Sequence, residues 1–574
     1  MKLASHAWVS AALGACASGS VAPPTQPAPR EPVSIATTAT DKKMAELTPA
    51  ALEPGSALDA AIASFYEASI TKRTYIMTDK PLYQPGETIW FRADLRATGT
   101  LQGGTPVGLT MTLTSPCGAI VAQKRVLSQA GLARNDFKLP DEIEGGEYTL
   151  GLIADDGTQD HKQLVINTYT TPHLQKSLEL LRKAYGEGDS VSAAIEIKRA
   201  TGEPFADKDL TGIIMIDDAE LPRIKLKTDK EGKATARFQL PAKLARGDGL
   251  LTIMADDSGV TESVQKRIPI VMKKLDLALF PEGGELVDGV PGRVYFQAKT
   301  TLGKPADIEG RVVDNQGKTI SEFSSVHDGM GRFELTPATD TQYQVVITKP
   351  AGITQKVDVP MGKAGGCVIR SVDQKTTDTL RVGAICNTAR RVQIQAVLRE
   401  KRLASGAFEV GANVPTVVEL PIAPNTQGAV RLTLFSTKNE PLSERLVFHG
   451  MGSGLTISLT TEKKTYGPRD PVKLKIKTTD ASGRPVKANI GIAVVDETVL
   501  SYADDKSGNL LSRMLLEQEL GATKEDPIED PKYYFSDKPD AAAALDALLG
   551  TRGYRRFEWR PVLELAKTKK EGAQ

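Results

Sequence analysis

Tyr83-Gln84-Pro85-Gly86-Glu87, followed by the alternating run Thr88 to Arg96 and by Gly104-Thr105-Pro106, decides the fold because the pattern returns. It recurs as Tyr185-Gly186-Glu187-Gly188-Asp189, Val191 to Arg199 and Gly202-Glu203-Pro204, the two tyrosines lying 102 residues apart. Val294 to Ala298 with Gly303-Lys304-Pro305 keeps the later part, and Tyr466-Gly467-Pro468-Arg469-Asp470, Val472 to Lys477 and Gly483-Arg484-Pro485 is a further copy. A second landmark agrees: Phe137-Lys138-Leu139-Pro140 returns as Phe238-Gln239-Leu240-Pro241, each six residues after a glycine, Gly131 or Gly232, with Phe333-Glu334-Leu335 as a weaker third copy. Alternation such as Ile89, Phe91, Ala93, Leu95 puts one face of a strand into a core. Gly and Pro supply the turns between strands. A period of roughly 90–100 residues is the size of one immunoglobulin-like sandwich, not of a solenoid repeat.

The expectation is therefore an all-β chain of tandem immunoglobulin- or fibronectin-like sandwiches, with short helices at the N-terminus and in the last domain. Spacing places sandwiches at 73–170, 171–273, 274–361, 362–450 and 451–565. The fourth lacks the Tyr-x-x-Gly opening and rests on the runs Val392 to Val397 and Val430 to Leu434. Residues 46–72 are expected to hold a helix, with Ala57, Ala60, Ala61, Phe65 and Tyr66 at helical spacing. The last domain is expected to carry a strand at Ile490 to Val495 and a helical insertion: Asn509 to Leu520, then Ala541 to Leu549 ended by Gly550.

Lys and Arg number 72 against 71 Asp and Glu, a balance that argues against a nucleic-acid binder. The five histidines are scattered singly, and no His-Glu-x-x-His, Gly-x-Ser-x-Gly, Walker loop or Cys-x-x-Cys occurs. No catalytic, cofactor-binding or metal-ligating residue is nominated, and a non-enzymatic protein without cofactors is expected. At the N-terminus, Lys2 precedes an apolar stretch, Leu3 to Ala15, too short to span a membrane but long enough for export. Leu13-Gly14-Ala15-Cys16 resembles the bacterial lipobox, which implies lipidation at Cys16 and an exported, lipid-anchored protein of the bacterial cell envelope, at the outer membrane or in the periplasm; an ordinary cleaved signal is the alternative. Residues 17–45, with Pro23, Pro24, Pro27 and Pro29, read as a disordered tether.

Thr78-Asp79-Lys80-Pro81-Leu82-Tyr83-Gln84-Pro85-Gly86-Glu87-Thr88 resembles the opening of the macroglobulin-2 (MG2) domain of the alpha-2-macroglobulin family. Ala493-Val494-Val495-Asp496-Glu497-Thr498-Val499 resembles a strand end in the family's sixth macroglobulin domain, and Phe280-Pro281-Glu282-Gly283-Gly284 a motif of its bacterial members. The resemblance implies tandem macroglobulin domains and a role in trapping or inhibiting proteases, with a protein partner. The family's thioester motif, Cys-Gly-Glu-Gln, does not occur in this sequence, so covalent capture is not implied. The alternative function is a structural or assembly scaffold presenting sandwiches to a partner protein.

Three sets of residues follow as candidates. Cys367 and Cys386 could bridge neighbouring strands or stand as two buried thiols, the disulfide being favoured, and Cys117 is expected to be buried as a small apolar residue. Residues 521–539 correspond to where the family inserts its cleaved bait, with Lys524, Lys532, Tyr533, Tyr534, Phe535 and Lys538 as cleavage side chains; an ordered connector with its aromatics packed on a sandwich is the preferred reading. Arg552, Tyr554, Arg555, Arg556, Phe557, Trp559 and Arg560 form a basic and aromatic cluster that could meet a partner or anionic lipid, although a charged strand edge is preferred.

Overall fold

The computed structural model describes residues 38–571, apart from 69–70, 169–172, 200, 258, 373–377, 424–425, 452–453, 464–465, 468, 481, 496–508, 523–525 and 554–557. Four sandwiches follow one another, each a three-stranded sheet facing a larger one. In the first, Lys72–Thr78, Thr88–Ala97 and Leu132–Lys138 face a sheet ordered Leu82–Tyr83, Gln159–Ile166, Gly146–Ala154, Gly108–Thr114, Ile120–Leu127. The three-stranded sheets of the next three are Leu174–Leu180, Ser190–Arg199, Lys233–Gln239; Asp276–Pro281, Gly292–Lys299, Met330–Leu335; and Cys367–Ser371, Thr379–Cys386, Thr416–Pro421. Alternation buries one face of each strand: Val191, Ala193, Ile195 and Ile197 are all sealed in the second core. The fourth sandwich has the same plan without the tyrosine opening.

The repeat is held together by a local device larger than the Tyr-x-x-Gly pattern. Tyr83, Tyr185 and Tyr466 each accept, at the hydroxyl, a hydrogen bond from the backbone N–H three residues earlier, at 3.3, 3.1 and 3.0 Å. The acid four residues later (Glu87, Asp189, Asp470) accepts from the backbone N–H of Gln84, Gly186 and Gly467 at 2.7, 2.9 and 3.0 Å. A cation three residues before each tyrosine, Lys80, Arg182 or Lys463, pairs with that acid and lies 5.1, 5.2 and 5.5 Å from the ring centroid. The turn thus presents its tyrosine in one geometry each time, and two of these rings, Tyr83 and Tyr185, are fully buried.

The repeated glycine also has a physical cause. Gly131, Gly232 and Gly329 all have positive φ, and their carbonyls accept from Leu95, Ile197 and Ala298 at 2.8, 2.9 and 2.9 Å. A Cβ there would fall inside van der Waals contact of the Leu95, Ile197 or Ala298 carbonyl oxygen.

Outside the four sandwiches the structure departs from expectation. Residues 39–45, read as tether, belong to a helix, Ala39–Glu46, closed by a capping box in which Thr38 and Asp41 bond each other's backbone N–H. The next helix is shorter than expected, Asp59–Glu67, while Glu53–Pro54 adds a strand to the fourth sandwich. Of a fifth sandwich the described residues show one strand pair, Thr456–Thr461 with Leu474–Thr479; Ile490 to Val495 is mostly exposed, with Ala493 and Val495 half-buried, and forms no strand. The helical segments pack on the earlier sandwiches rather than on that pair. A single helical turn, Leu510–Ser512, passes into a π-helical turn, Arg513–Glu517, that lies across the first and fourth sandwiches. The helix Ala541–Arg552 rests on the third and fourth. It runs through Gly550 instead of ending there, a position where a Cβ would enter the Tyr295 ring, and is capped at Gly553. The fourth sandwich also meets the first, where Thr71 Oγ1 donates to Glu400 Oε1 at 2.6 Å, so the run of modules closes on itself.

Gly232→Ala combines a left-handed backbone with a carbonyl clash, and a loss of about 1–3 kcal/mol is expected. Chemical denaturation should show the second sandwich unfolding earlier, while Gly259→Ala, at an open turn with similar φ, should cost less.

Candidate functional site

Among the described residues, a dense arrangement of buried charges lies where the third and fourth sandwiches meet. Glu282 follows the strand Asp276–Pro281, and its side chain is wholly excluded from solvent. Arg445 Nη1 lies 2.8 Å from Glu282 Oε1, and Arg293 Nη1 3.3 Å. Arg370 donates to both oxygens of Glu334 at 2.9 and 3.1 Å. The remaining acids arrive from distant chain segments: Asp41, from the first helix, pairs with Arg293, and Asp546, from the helix Ala541–Arg552, pairs with Arg445 and with Arg332, the latter at 2.7 Å. Four guanidinium groups (Arg293, Arg332, Arg370, Arg445) thus meet four carboxylates (Asp41, Glu282, Glu334, Asp546).

Burial pushes the Asp546 carboxyl up, but Arg445, Arg332 and Arg293 outweigh it and hold the group below the usual carboxylate range. Asp41 is likewise lowered, burial being overcome by Arg293 and Arg370. Glu334 moves the other way because burial dominates over its arginines. Tyr295, whose hydroxyl donates to Asp546 at 2.9 Å, is pushed up to about 12, mainly by burial. Gly283 sits at φ +84 beside the Ser443 hydroxyl and leaves no room for a Cβ. Its carbonyl accepts from the Glu444 N–H at 3.0 Å and stitches the two sandwiches together. The Phe280-to-Gly284 motif is therefore the hinge of this junction: Glu282 supplies the charge and Gly283 the close approach. Chemically the arrangement fixes four segments; the described residues contain no group of three or more His, Cys, Asp or Glu set to hold a metal ion.

The candidate segment 521–539 packs beside it. Tyr533–Phe535 forms one turn of 3-10 helix, with Tyr534 fully and Tyr533 largely buried. The His327 ring stacks on Tyr533 at 3.9 Å between centroids and meets Tyr534 edge-on at 5.6 Å. Phe535 packs edge-on against Phe448 at 5.5 Å. Lys532 and Lys538 are exposed, and Lys524 lies outside the described residues. Of the aromatic cleavage side chains, Tyr533 and Tyr534 are thus interior and Phe535 half-buried, and among the described candidates the two lysines are the exposed ones.

The basic cluster does not form one surface. Arg552 is buried, donating to the Asp526 carboxylate at 2.9 Å and to the Asp526 and Pro527 carbonyls at 2.9 and 2.7 Å. Trp559 is buried against Phe435, and its Nε1 donates to Glu444 Oε2 at 2.8 Å. Arg560 is exposed at the start of the helix Arg560–Glu571, and Tyr554, Arg555, Arg556 and Phe557 lie outside the described residues, as does Cys16. Cys367 and Cys386 face each other on adjacent strands and are disulfide-bonded. Cys117 is exposed, at a turn between two strands, rather than buried.

Fold and junction together define a protein of tandem β-sandwiches clamped by buried charge. Residues 73–166 match the MG2 domain family. The chain is 26% identical over 498 residues to an alpha-2-macroglobulin of Ralstonia nicotianae, covering 76% of this chain and 30% of that one. An alpha-2-macroglobulin of Thermotoga maritima is 20% identical over 374 residues, covering 58% and 24%. Among solved structures, trypsin-activated alpha-2-macroglobulin from Escherichia coli aligns with 72% of this chain and 33% of its own, at 14% identity and a TM-score of 0.43. This chain is thus similar to bacterial alpha-2-macroglobulins over much of its length, and it spans about a third or less of the length of these relatives.

Burial lowers the His327 pKa below its ordinary 6.5, against the raising effect of Asp328; Lys183, Asp307 and Asp540 also face it. An undocked His327 takes up a proton more readily than the docked one, so docking is at full strength above pH 6.5 and weakens as pH falls below it. Hydrogen exchange of residues 530–540, corrected for intrinsic rates, should quicken between pH 7.5 and 5. His327→Phe should keep the stack and lose much of that pH dependence.

Proposed function

We propose that this chain is a non-catalytic, envelope-anchored macroglobulin-like protein that binds or restrains proteases without thioester chemistry. The observation that carries the reading is the length of the likeness, 498 residues, far beyond the single MG2 domain. The reading proposes restraint through non-covalent contact, since the 574 residues themselves contain no Cys-Gly-Glu-Gln. Envelope anchoring rests on Leu13-Gly14-Ala15-Cys16.

A second reading, a scaffold that presents sandwiches to a partner protein, is favoured by one specific observation. The aromatic stretch of 521–539 is packed, whereas a cleavage trigger works best on an exposed strand of chain.

Limited proteolysis of the full chain, with protease activity followed on large and small substrates, separates the two. The protease reading expects early cuts confined to 521–539, at Lys524, Lys532 or Lys538, followed by loss of activity on large substrates only. Scattered slow cutting with undiminished protease activity would overturn it in favour of the scaffold.

A further inference from the structure

The strand pair Thr456–Thr461 and Leu474–Thr479 begins a sandwich in the same way as the others. It carries the Lys463, Tyr466, Asp470 device, and a bridge between Thr479 and Pro485 matches those between Lys198 and Pro204 and between Lys299 and Pro305. In each of the four sandwiches the second strand bears a third on its far edge: Leu132–Lys138, Lys233–Gln239, Met330–Leu335 and Thr416–Pro421. Among the described residues, Leu474–Thr479 bears none. Among the described residues the backbone N–H and C=O groups of Leu474 and Ile476 on that edge are open to pairing, whereas the Thr478 carbonyl already accepts from the Val486 N–H at 3.1 Å.

Side-chain alternation says what would fit. Counting from the tyrosines, Leu474, Ile476 and Thr478 stand where Ala193, Ile195 and Ile197 stand in the second sandwich. There those positions are at most 2% exposed, whereas Leu474 is 40% exposed, so the apolar face of the pair is incompletely covered. Ile492 and Val494 add apolar surface at 57% and 64%. On the opposite face, Lys473, Lys475 and Lys477 replace Ser192, Ala194 and Glu196, and all three are exposed. Residues 456–495 hold eight Lys and Arg against three Asp and Glu, a net of +5, while the whole chain is +1. An antiparallel second copy would set these lysines against one another, which disfavours self-pairing.

We propose that residues 455–495 form an acceptor surface for a segment of another polypeptide, apolar on alternate residues and acidic on the others, which adds as an antiparallel strand to the open edge of Leu474–Thr479. Backbone hydrogen bonds supply the attachment, the apolar face the burial, and the three lysines the choice of an acidic partner. In the second sandwich the strand in that place sets Lys233 opposite Glu196, and this surface reverses the charge pattern.

The test uses the full chain and a fluorescein-labelled peptide, Gly-Glu-Ala-Glu-Ala-Glu-Phe-Gln-Leu, patterned on residues 232–240 with glutamates at the outward positions. Saturable binding by fluorescence polarisation is expected, with the unaltered sequence of residues 232–240 binding at least tenfold more weakly. The surface variant Lys473→Glu/Lys475→Glu/Lys477→Glu, shown folded by circular dichroism, should lose at least tenfold in affinity. Ile476→Asp should lose more. No saturable binding, equal binding of the two peptides, or affinity unchanged in the lysine variant would overturn the proposal. So would sedimentation showing a dimer that the lysine variant leaves intact and whose formation excludes the peptide.

Discussion

Glu282 is the residue on which the arrangement depends. A carboxylate wholly removed from water is tolerated only when cations replace its solvation, and Arg445 and Arg293 do so at 2.8 and 3.3 Å. Those arginines are themselves buried, and each needs a second acid. Arg293 obtains it from Asp41, near the start of the described chain, and Arg445 from Asp546, near its end. Desolvation and attraction in such a cluster come close to cancelling, so the gain is less in net stability than in uniqueness: any other packing of these four segments leaves a charge buried and unpaired. The junction therefore sets how the third sandwich meets the fourth, and where the helices Ala39–Glu46 and Ala541–Arg552 lie.

That constraint reaches the rest of the molecule through the C-terminal segment. The helix Ala541–Arg552 is held by Asp546, and Arg552 in turn staples residues 526–527, which brings Tyr533 and Tyr534 onto His327. Earlier in the same segment, Arg513 donates to the Thr74 carbonyl of the first sandwich at 3.2 Å, while Leu516 of the same turn packs with Ala429 and Leu446 of the fourth. A cut in the exposed lysine positions would leave both sides anchored, because Tyr533, Asp546 and Arg552 make independent contacts. This is why the packing of 526–540 bears directly on whether cleavage can trigger anything.

Much of this fold was legible in the sequence. Two landmarks, Tyr-x-x-Gly and Phe-x-Leu-Pro, recur at the period of a sandwich because the buried tyrosine turn and the tight glycine leave few alternatives. The cation three residues before each tyrosine was equally readable, at Lys80, Arg182 and Lys463, and completes the signature. The helix Ala39–Glu46 was hidden by its proline-rich approach, although Thr38 and Asp41 spell a capping box. The charge junction left no local signal: Asp41, Glu282 and Asp546 are hundreds of residues apart, and Arg293 and Arg370 sit in strands where an arginine ordinarily marks the solvent face. Arg552 and Trp559 misled for the same reason, since a basic and aromatic run reads as surface until its partners, Asp526 and Glu444, are brought to it by tertiary structure. The disulfide between Cys367 and Cys386 needed only two facing strands, and the exposed Cys117 shows that composition alone does not bury a thiol.

The most direct test of the central claim is a double-mutant cycle of Glu282→Gln and Arg445→Met, read by native-state hydrogen exchange in the strands Gly292–Lys299 and Pro441–His449. If the junction is held by this pair, Glu282→Gln costs about 3–5 kcal/mol because it strands buried guanidinium groups. The double variant then costs less than the sum of the singles by roughly 1–3 kcal/mol. Single variants that change exchange little, or that add without coupling, would contradict it and leave apolar packing as what joins the two sandwiches.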